Sequence, residues 1–210
     1  MPVVLLNCYT GERRHLSILP GEVAGGFSAT SYLLGVGHRR IALINGEPWM
    51  DASQERQKGY RQALATADIA FETGLVRNGD WLPLKGYLHT IDLLRQAEPP
   101  TAILCANDLM AIGALKAAAE LGLRVPNDLS IMGYDDQELA RYTHPPLTTL
   151  LLPNYEMGRR AAEALIDVAA HGKPLRPMAI KIDGPVVERA SVGAPSLHAA
   201  EVVRAAVSRR

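Results

Sequence analysis

The sequence predicts an α/β protein with a doubly wound parallel sheet, on three observations. Short, predominantly apolar runs of strand length recur at 3–6, 41–44, 102–105 and 129–132, the pattern of strands buried on both faces. Stretches of helical period separate them. Strands end in polar clusters: Asn45-Gly46, Asn107-Asp108 and Gly133-Tyr134-Asp135-Asp136. Parallel strands joined by helices send their carboxyl ends to one edge, where such sheets bind ligands. The pattern reads as a receptor for a small molecule.

The elements follow in order. After the strand at 3–6, residues 21–36 place Val23, Phe27, Leu33 and Leu34 at roughly helical spacing, stopped by Gly35 and Gly37. Beyond the strand at 41–44, Asp51 and Gln54 have the spacing of a capping box, opening a helix that buries Tyr60, Leu64 and Ala67. A strand is expected at 74–77, then a helix at 84–95 with Leu84, Leu88, Ile91 and Leu94 inward. The strand at 102–105 leads to a helix at 109–121 that ends at Gly122. Strands at 129–132 and 147–151 follow, then a helix at 155–170 facing inward with Met157, Ala161, Leu165 and Val168 and stopped by Gly172. Met178, Ile180 and Ile182 alternate with polar or small residues, as in a half-exposed strand. The segment from Pro195 onward, rich in Ala, Ser and Arg, reads as a frayed tail or a loose helix.

Composition excludes several classes. The 210 residues are 48% hydrophobic, with 22 basic and 22 acidic side chains, so the chain can bury a core and is no polyelectrolyte. Without a stripe of Lys and Arg, this segment is not expected to hold nucleic acid by itself. Cys8 and Cys105 lie in apolar runs and read as buried, reduced thiols. The apolar start is too short and lacks the basic residues of an export signal, and no run reaches membrane-spanning length, so a cytoplasmic location is expected.

Four side chains stand just past strand ends: Arg56 at a helix start, Trp81, Asn107 and Asp135, with Asp136 as a secondary candidate. A guanidinium and a carboxylate each hold neighbouring hydroxyls, an amide donates and accepts, and an indole covers the apolar face of a ring. That set suits an uncharged, polyhydroxylated ligand. Each bland alternative is also open: Asn107 or Asp108 capping the following helix, Trp81 as a core aromatic, Arg56 or Asp136 as surface charges. Dinucleotide, phosphate-loop, nucleophile-elbow and zinc signatures are missing and the six His are scattered, so no catalytic residue, metal ligand or cofactor is expected. His38 reads as a hydrogen-bonded turn residue.

The segments GHRRIALING (37–46), ERQKGYRQAL (55–64), NGDW (78–81), the long block 100–136 ending in GYDD, PPLTTL (145–150) and VERASV (187–192) resemble the effector-binding core of the LacI/GalR family of bacterial transcription regulators. The likeness runs from about Pro2 to Pro195. It implies two Rossmann-like subdomains of the type I periplasmic-binding-protein kind. The amino-terminal one is expected at 1–46 and 154–175, the carboxyl-terminal one at 47–153 and 176–195, and a tail at 196–210. In sugar-binding members the matching positions contact ligand, which assigns Arg56, Trp81, Asn107 and Asp135. Purine-responsive members carry Phe and Gly where Trp81 and Asn107 stand, so the resemblance favours a sugar or polyol.

The family's Asp-Asn-x-x-Gly element is replaced by Leu19-Pro20-Gly21-Glu22-Val23, which leaves Glu22 as a substitute contact. The resemblance also implies a homodimer, and operator DNA bound only through a headpiece that this chain does not contain. The amino-terminal subdomain is expected to be incomplete, with a bare sheet edge and uncovered apolar faces. Two rival readings are a transport-type sugar-binding protein of the same fold and a small α/β enzyme.

Overall fold

In the computed structural model, residues 2–8, 14–172, 174–196 and 198–208 are described. The elements run β1 (Val4–Leu6), β2 (Leu16–Pro20), α1 (Glu22–Gly35), β3 (Ile41–Asn45), α2 (Asp51–Thr66), β4 (Val76–Asn78), α3 (Pro83–Leu94), β5 (Ala102–Cys105), α4 (Asp108–Glu120), β6 (Ser130–Met132), β7 (Thr149–Leu150), α5 (Asn154–His171), β8 (Met178–Ile182), β9 (Val186–Val187) and α6 (Ala199–Ser208). Two compact units result, one of 1–21 with 152–184, the other of 22–151 with 185–210. The division falls before Glu22 rather than after residue 46, because β3 pairs with β4 and β5 in the larger unit.

In the larger unit four strands lie in the order β4-β3-β5-β6, all parallel. Chain order reverses between β3 and β5, since one branch leads out to β4 and the other to β6. That reversal opens a crevice at the carboxyl ends of β3 and β5. Strand alternation divides the core between the two faces. Ala42, Ile44, Ile103 and Cys105 face a cluster with Leu93 and Leu94 of α3 and Met110 and Ala114 of α4. On α2, Tyr60, Ala63 and Leu64 are buried, and the Tyr60 hydroxyl donates to the Ile41 carbonyl at 2.8 Å.

The expected inward line of α3 is corrected: Leu84 and Leu88 are exposed, and the buried positions are Gly86, Thr90, Leu93 and Leu94. Gly86 and Gly113 bring α3 and α4 together, since a Cβ on Gly113 would stand 1.9 Å from the Pro83 carbonyl oxygen. The capping box also fails: Asp51 is itself the first helical residue, Met50 precedes it without a side-chain cap, and Gln54 donates to the Pro48 carbonyl. Ala67 is exposed. His38 is buried in its turn between the Thr101 hydroxyl and the Gly193 carbonyl, each at 2.9 Å. The tail is ordered as α6, which sets Val203, Ala206 and Val207 against the core.

In the smaller unit β1, β2 and β8 form a parallel sheet with β2 in the centre. As an edge strand β1 is only half-buried, not buried on both faces, and Cys8 just beyond it is exposed. Cys105 is buried and free, and burial pushes its thiol pKa up, so it is unreactive. Helix α5 ends as expected at Gly172, in a left-handed conformation with φ 63°. It buries only Met157; Leu165 is 36% and Ile166 61% exposed.

Candidate ligand site

The crevice between β3 and β5 is where the larger unit gathers its polar side chains. Arg56 lies in the first turns of α2 and is only 6% exposed. Its depth follows from how α1 and α2 cross. A Cβ on Gly26 would stand 2.3 Å from the Arg56 carbonyl oxygen, and one on Gly59 2.1 Å from that of Val23. The helices touch backbone to backbone at these glycines. That approach brings Glu22, the first residue of α1, to the guanidinium: Nε donates to Oε2 at 2.6 Å and Nη2 to Oε1 at 2.8 Å. Nη1 donates to the carbonyl of Ala106, the residue that follows β5.

Tyr134 completes the cradle. Its hydroxyl donates to Glu22 Oε2 at 2.9 Å, and its ring centroid lies 3.7 Å from the Arg56 Cζ. A Cβ on Gly25 would stand 2.0 Å from the Tyr134 hydroxyl, so that glycine makes room for the ring. Burial works against the Arg56 charge, but the Glu22 hydrogen bonds and charge outweigh it and raise the pKa. The guanidinium is a fixed cation.

Trp81 reaches the same place from the loop after β4. Its ring packs on Gly46, where a Cβ would overlap it at 2.0 Å, and its centroid is 5.5 Å from the Arg56 Cζ. The indole N–H donates to the Met50 sulfur at 3.0 Å. Asn107 combines two roles. As the N-cap of α4 its Oδ1 accepts from the Met110 N–H at 2.9 Å, while Nδ2 donates to the Trp81 carbonyl at 2.9 Å. The capping alternative therefore holds for Asn107 rather than Asp108, and the cap ties the tryptophan loop to α4.

Asp135 follows β6, with Oδ1 3.8 Å from Arg56 Nη1. Burial pushes its carboxyl pKa up to about 6, against the pull of Arg56 and a hydrogen bond from Gln137. Three of the non-glycine residues held at positive φ belong here: Trp81 at 67°, Asp135 at 113° and Asp136 at 53°. Strained backbone of this kind persists where the surroundings over-determine it, and it clusters at binding sites.

Asp136 has a different task, since Oδ1 accepts from Arg189 Nη2 at 2.6 Å and anchors the loop to the strand region around β9. Asp108 is fully buried behind the loop. Its oxygens accept from the Thr149 hydroxyl at 2.6 Å and the Gln137 N–H at 2.7 Å. Burial, with smaller contributions from Asp135 and Asp136, pushes its pKa up to about 7.

The structure thus brings Arg56, Trp81, Asn107, Asp135 and Glu22 together and sends Asp136 to Arg189. Tyr134 is not among the residues singled out in the sequence; its place directly before the strand-end acids Asp135 and Asp136 is the available signal. Among the described residues no group of His, Cys, Asp or Glu is arranged to hold a metal ion, and no helix is long and apolar enough to cross a membrane.

Residues 30–192 match the model of the periplasmic binding protein-like domain. The chain is 40% identical over 166 residues to the ribose operon repressor of Haemophilus influenzae, covering 79% of this chain and 50% of that protein. The chain belongs to the LacI/GalR family. It is also 40% identical over 193 residues to the HTH-type transcriptional repressor PurR of Yersinia enterocolitica, covering 91% of this chain and 56% of that one. Among solved structures, the Escherichia coli transcriptional repressor AscG superposes with a TM-score of 0.83 at 33% identity, over 92% of this chain and 70% of that one. This LacI/GalR chain spans about half the length of the curated relatives it matches. Those relatives are repressors, which favours the regulator reading over a transport protein or an enzyme.

Proposed function

We propose that this chain is the effector-binding part of a LacI-type transcription regulator, and that its effector is a sugar or related polyol. The observation that carries the reading is the convergence on Arg56: a carboxylate 3.8 Å away, an indole at 5.5 Å, and an asparagine amide bonded to the indole residue's carbonyl. A ligand hydroxyl accepts from Arg56 while its neighbour donates to Asp135, and a pyranose or furanose face lies on Trp81. Asn107, with its cap and loop bonds made, offers its remaining donor and lone pair. Hydrogen bonds to charged groups are worth about 1.5–3 kcal/mol each, so three of them supply roughly 4.5–9 kcal/mol, and the sugar face stacked on Trp81 adds to that toward micromolar binding.

In the whole regulator, effector binds one arrangement of the two subdomains better than the other, and that difference in affinity is what reaches the operator. Homodimer formation, a cytoplasmic location and DNA contact through a headpiece outside this chain belong to the same proposal. Calorimetric titration with neutral sugars and polyols, ribose among them, tests it. Saturable binding is expected, weakened at least about tenfold by Asp135→Ala. No binding by the folded wild type, or an unchanged affinity in Asp135→Ala, would overturn the site.

A further inference from the structure

We infer that Glu22 is a selectivity residue: by occupying the Nε–Nη2 edge of Arg56 it makes this site accept uncharged polyols and refuse their phosphorylated or carboxylated counterparts. The inference rests on the reading of Arg56 and Asp135 as ligand contacts. An arginine with its fork free is matched to phosphate and carboxylate, which it grips through two parallel N–H bonds. Here that fork is closed by the Glu22 oxygens at 2.6 and 2.8 Å, and Tyr134 donates to the same carboxylate. Nη1 is spent partly on the Ala106 carbonyl, and one guanidinium face lies against the Tyr134 ring. What Arg56 has left is one N–H on Nη1, which lies 3.8 Å from Asp135 Oδ1, and one on Nη2. Those suit a hydroxyl, which accepts from one and donates to the carboxylate.

The charges point the same way. Glu22 and Arg56 side chains are each 7% exposed and Asp135 17%, so two carboxylates face one guanidinium in a poorly solvated place. Among the described residues, the cation beside the loop, Arg189, is paired with Asp136, and Asp108 accepts from the Thr149 hydroxyl and the Gln137 N–H. An incoming phosphate therefore meets surplus negative charge and a cation already taken. Glu22, a candidate ligand contact in the sequence, has its two oxygens bonded to Arg56 and Tyr134, so it acts here as a positioning residue.

The test compares ribose, ribose 5-phosphate and inorganic phosphate by calorimetry on the wild-type chain, Glu22→Gln and Glu22→Gln/Arg56→Gln, with circular dichroism confirming the fold. The wild type is expected to prefer ribose to its phosphate ester and to show no saturable phosphate binding. Glu22→Gln is expected to shift the ratio of ester to ribose affinity by about tenfold or more toward the ester. The double variant should lose that gain. A ratio unchanged in Glu22→Gln, or a wild type that takes the ester as tightly as ribose, overturns the inference.

The wild-type comparison decides even if Glu22→Gln does not fold. If no protein binds ribose or any other neutral sugar, the effector reading fails on its own, and inorganic phosphate still reads the selectivity. Binding that appears in Glu22→Gln and disappears in the double variant supports the role of Glu22. Its failure to appear refutes it.

Discussion

Replacing Arg56 by Met keeps an unbranched apolar stem and removes the guanidinium with its charge, which tests what the ion pair does for the fold. In the native chain Glu22 accepts two bonds from Arg56 and one from Tyr134 and is only 6% exposed. Arg56→Met leaves a buried carboxylate with the tyrosine hydroxyl as its remaining partner in this cradle. Breaking a buried pair from one side costs about 3–5 kcal/mol, because the stranded charge has lost both water and its counter-ion. Glu22→Gln/Arg56→Met takes the charge away as well and should recover about half of that loss or more. Urea unfolding followed by circular dichroism gives both values, and an unchanged slope shows that the unfolded state is the same. A single variant that costs less than about 1 kcal/mol, the worth of an exposed pair, would refute the buried-clamp account. So would a double variant as unstable as the single one.

Asp108→Asn tests the carboxyl behind the loop. Its folded pKa, about 7, lies above the unfolded value of 3.8, so the folded chain holds the proton more tightly and loses stability as pH rises between the two. The full span corresponds to about 4 kcal/mol. Relative to wild type, Asp108→Asn should therefore gain stability between pH 5 and pH 8; a flat difference would show that the carboxyl is not strained by burial. Gly59→Ala drives a Cβ to 2.1 Å from the Val23 carbonyl oxygen, which only a parting of α1 and α2 relieves. We expect a loss of about 1–3 kcal/mol and weaker sugar binding together; a neutral effect in thermal unfolding would mean that the helices do not meet there.

That the candidate site's side chains come together was legible because parallel strand–helix units deliver every strand's carboxyl end to one edge. Arg56, Trp81, Asn107 and Asp135 could be chosen from the order of apolar runs alone. What lies behind them was not legible, because it depends on how helices cross. Glu22 and Arg56 stand 34 residues apart and meet through Gly26 and Gly59, whose spacing in the sequence reads equally as poor helix formers. The same cause misplaced the inner face of α3: close packing at Gly86 turns Leu84 and Leu88 outward. At Asp51 a capping box matched by spacing lost to a helix that begins one residue earlier. Of the two readings of the alanine- and arginine-rich end, frayed tail or loose helix, the helix holds as α6, and composition hid the apolar line of Val203, Ala206 and Val207 that docks it.

The central claim is that Arg56 and Trp81 belong to one ligand site. Nuclear magnetic resonance of the ¹⁵N-labelled chain tests it through the Arg56 Nε–H and the Trp81 indole N–H during titration with the neutral sugar that binds in calorimetry. Both resonances are expected to shift together and to saturate at the calorimetric dissociation constant. Saturating shifts elsewhere in the chain, with these two unmoved, would contradict it.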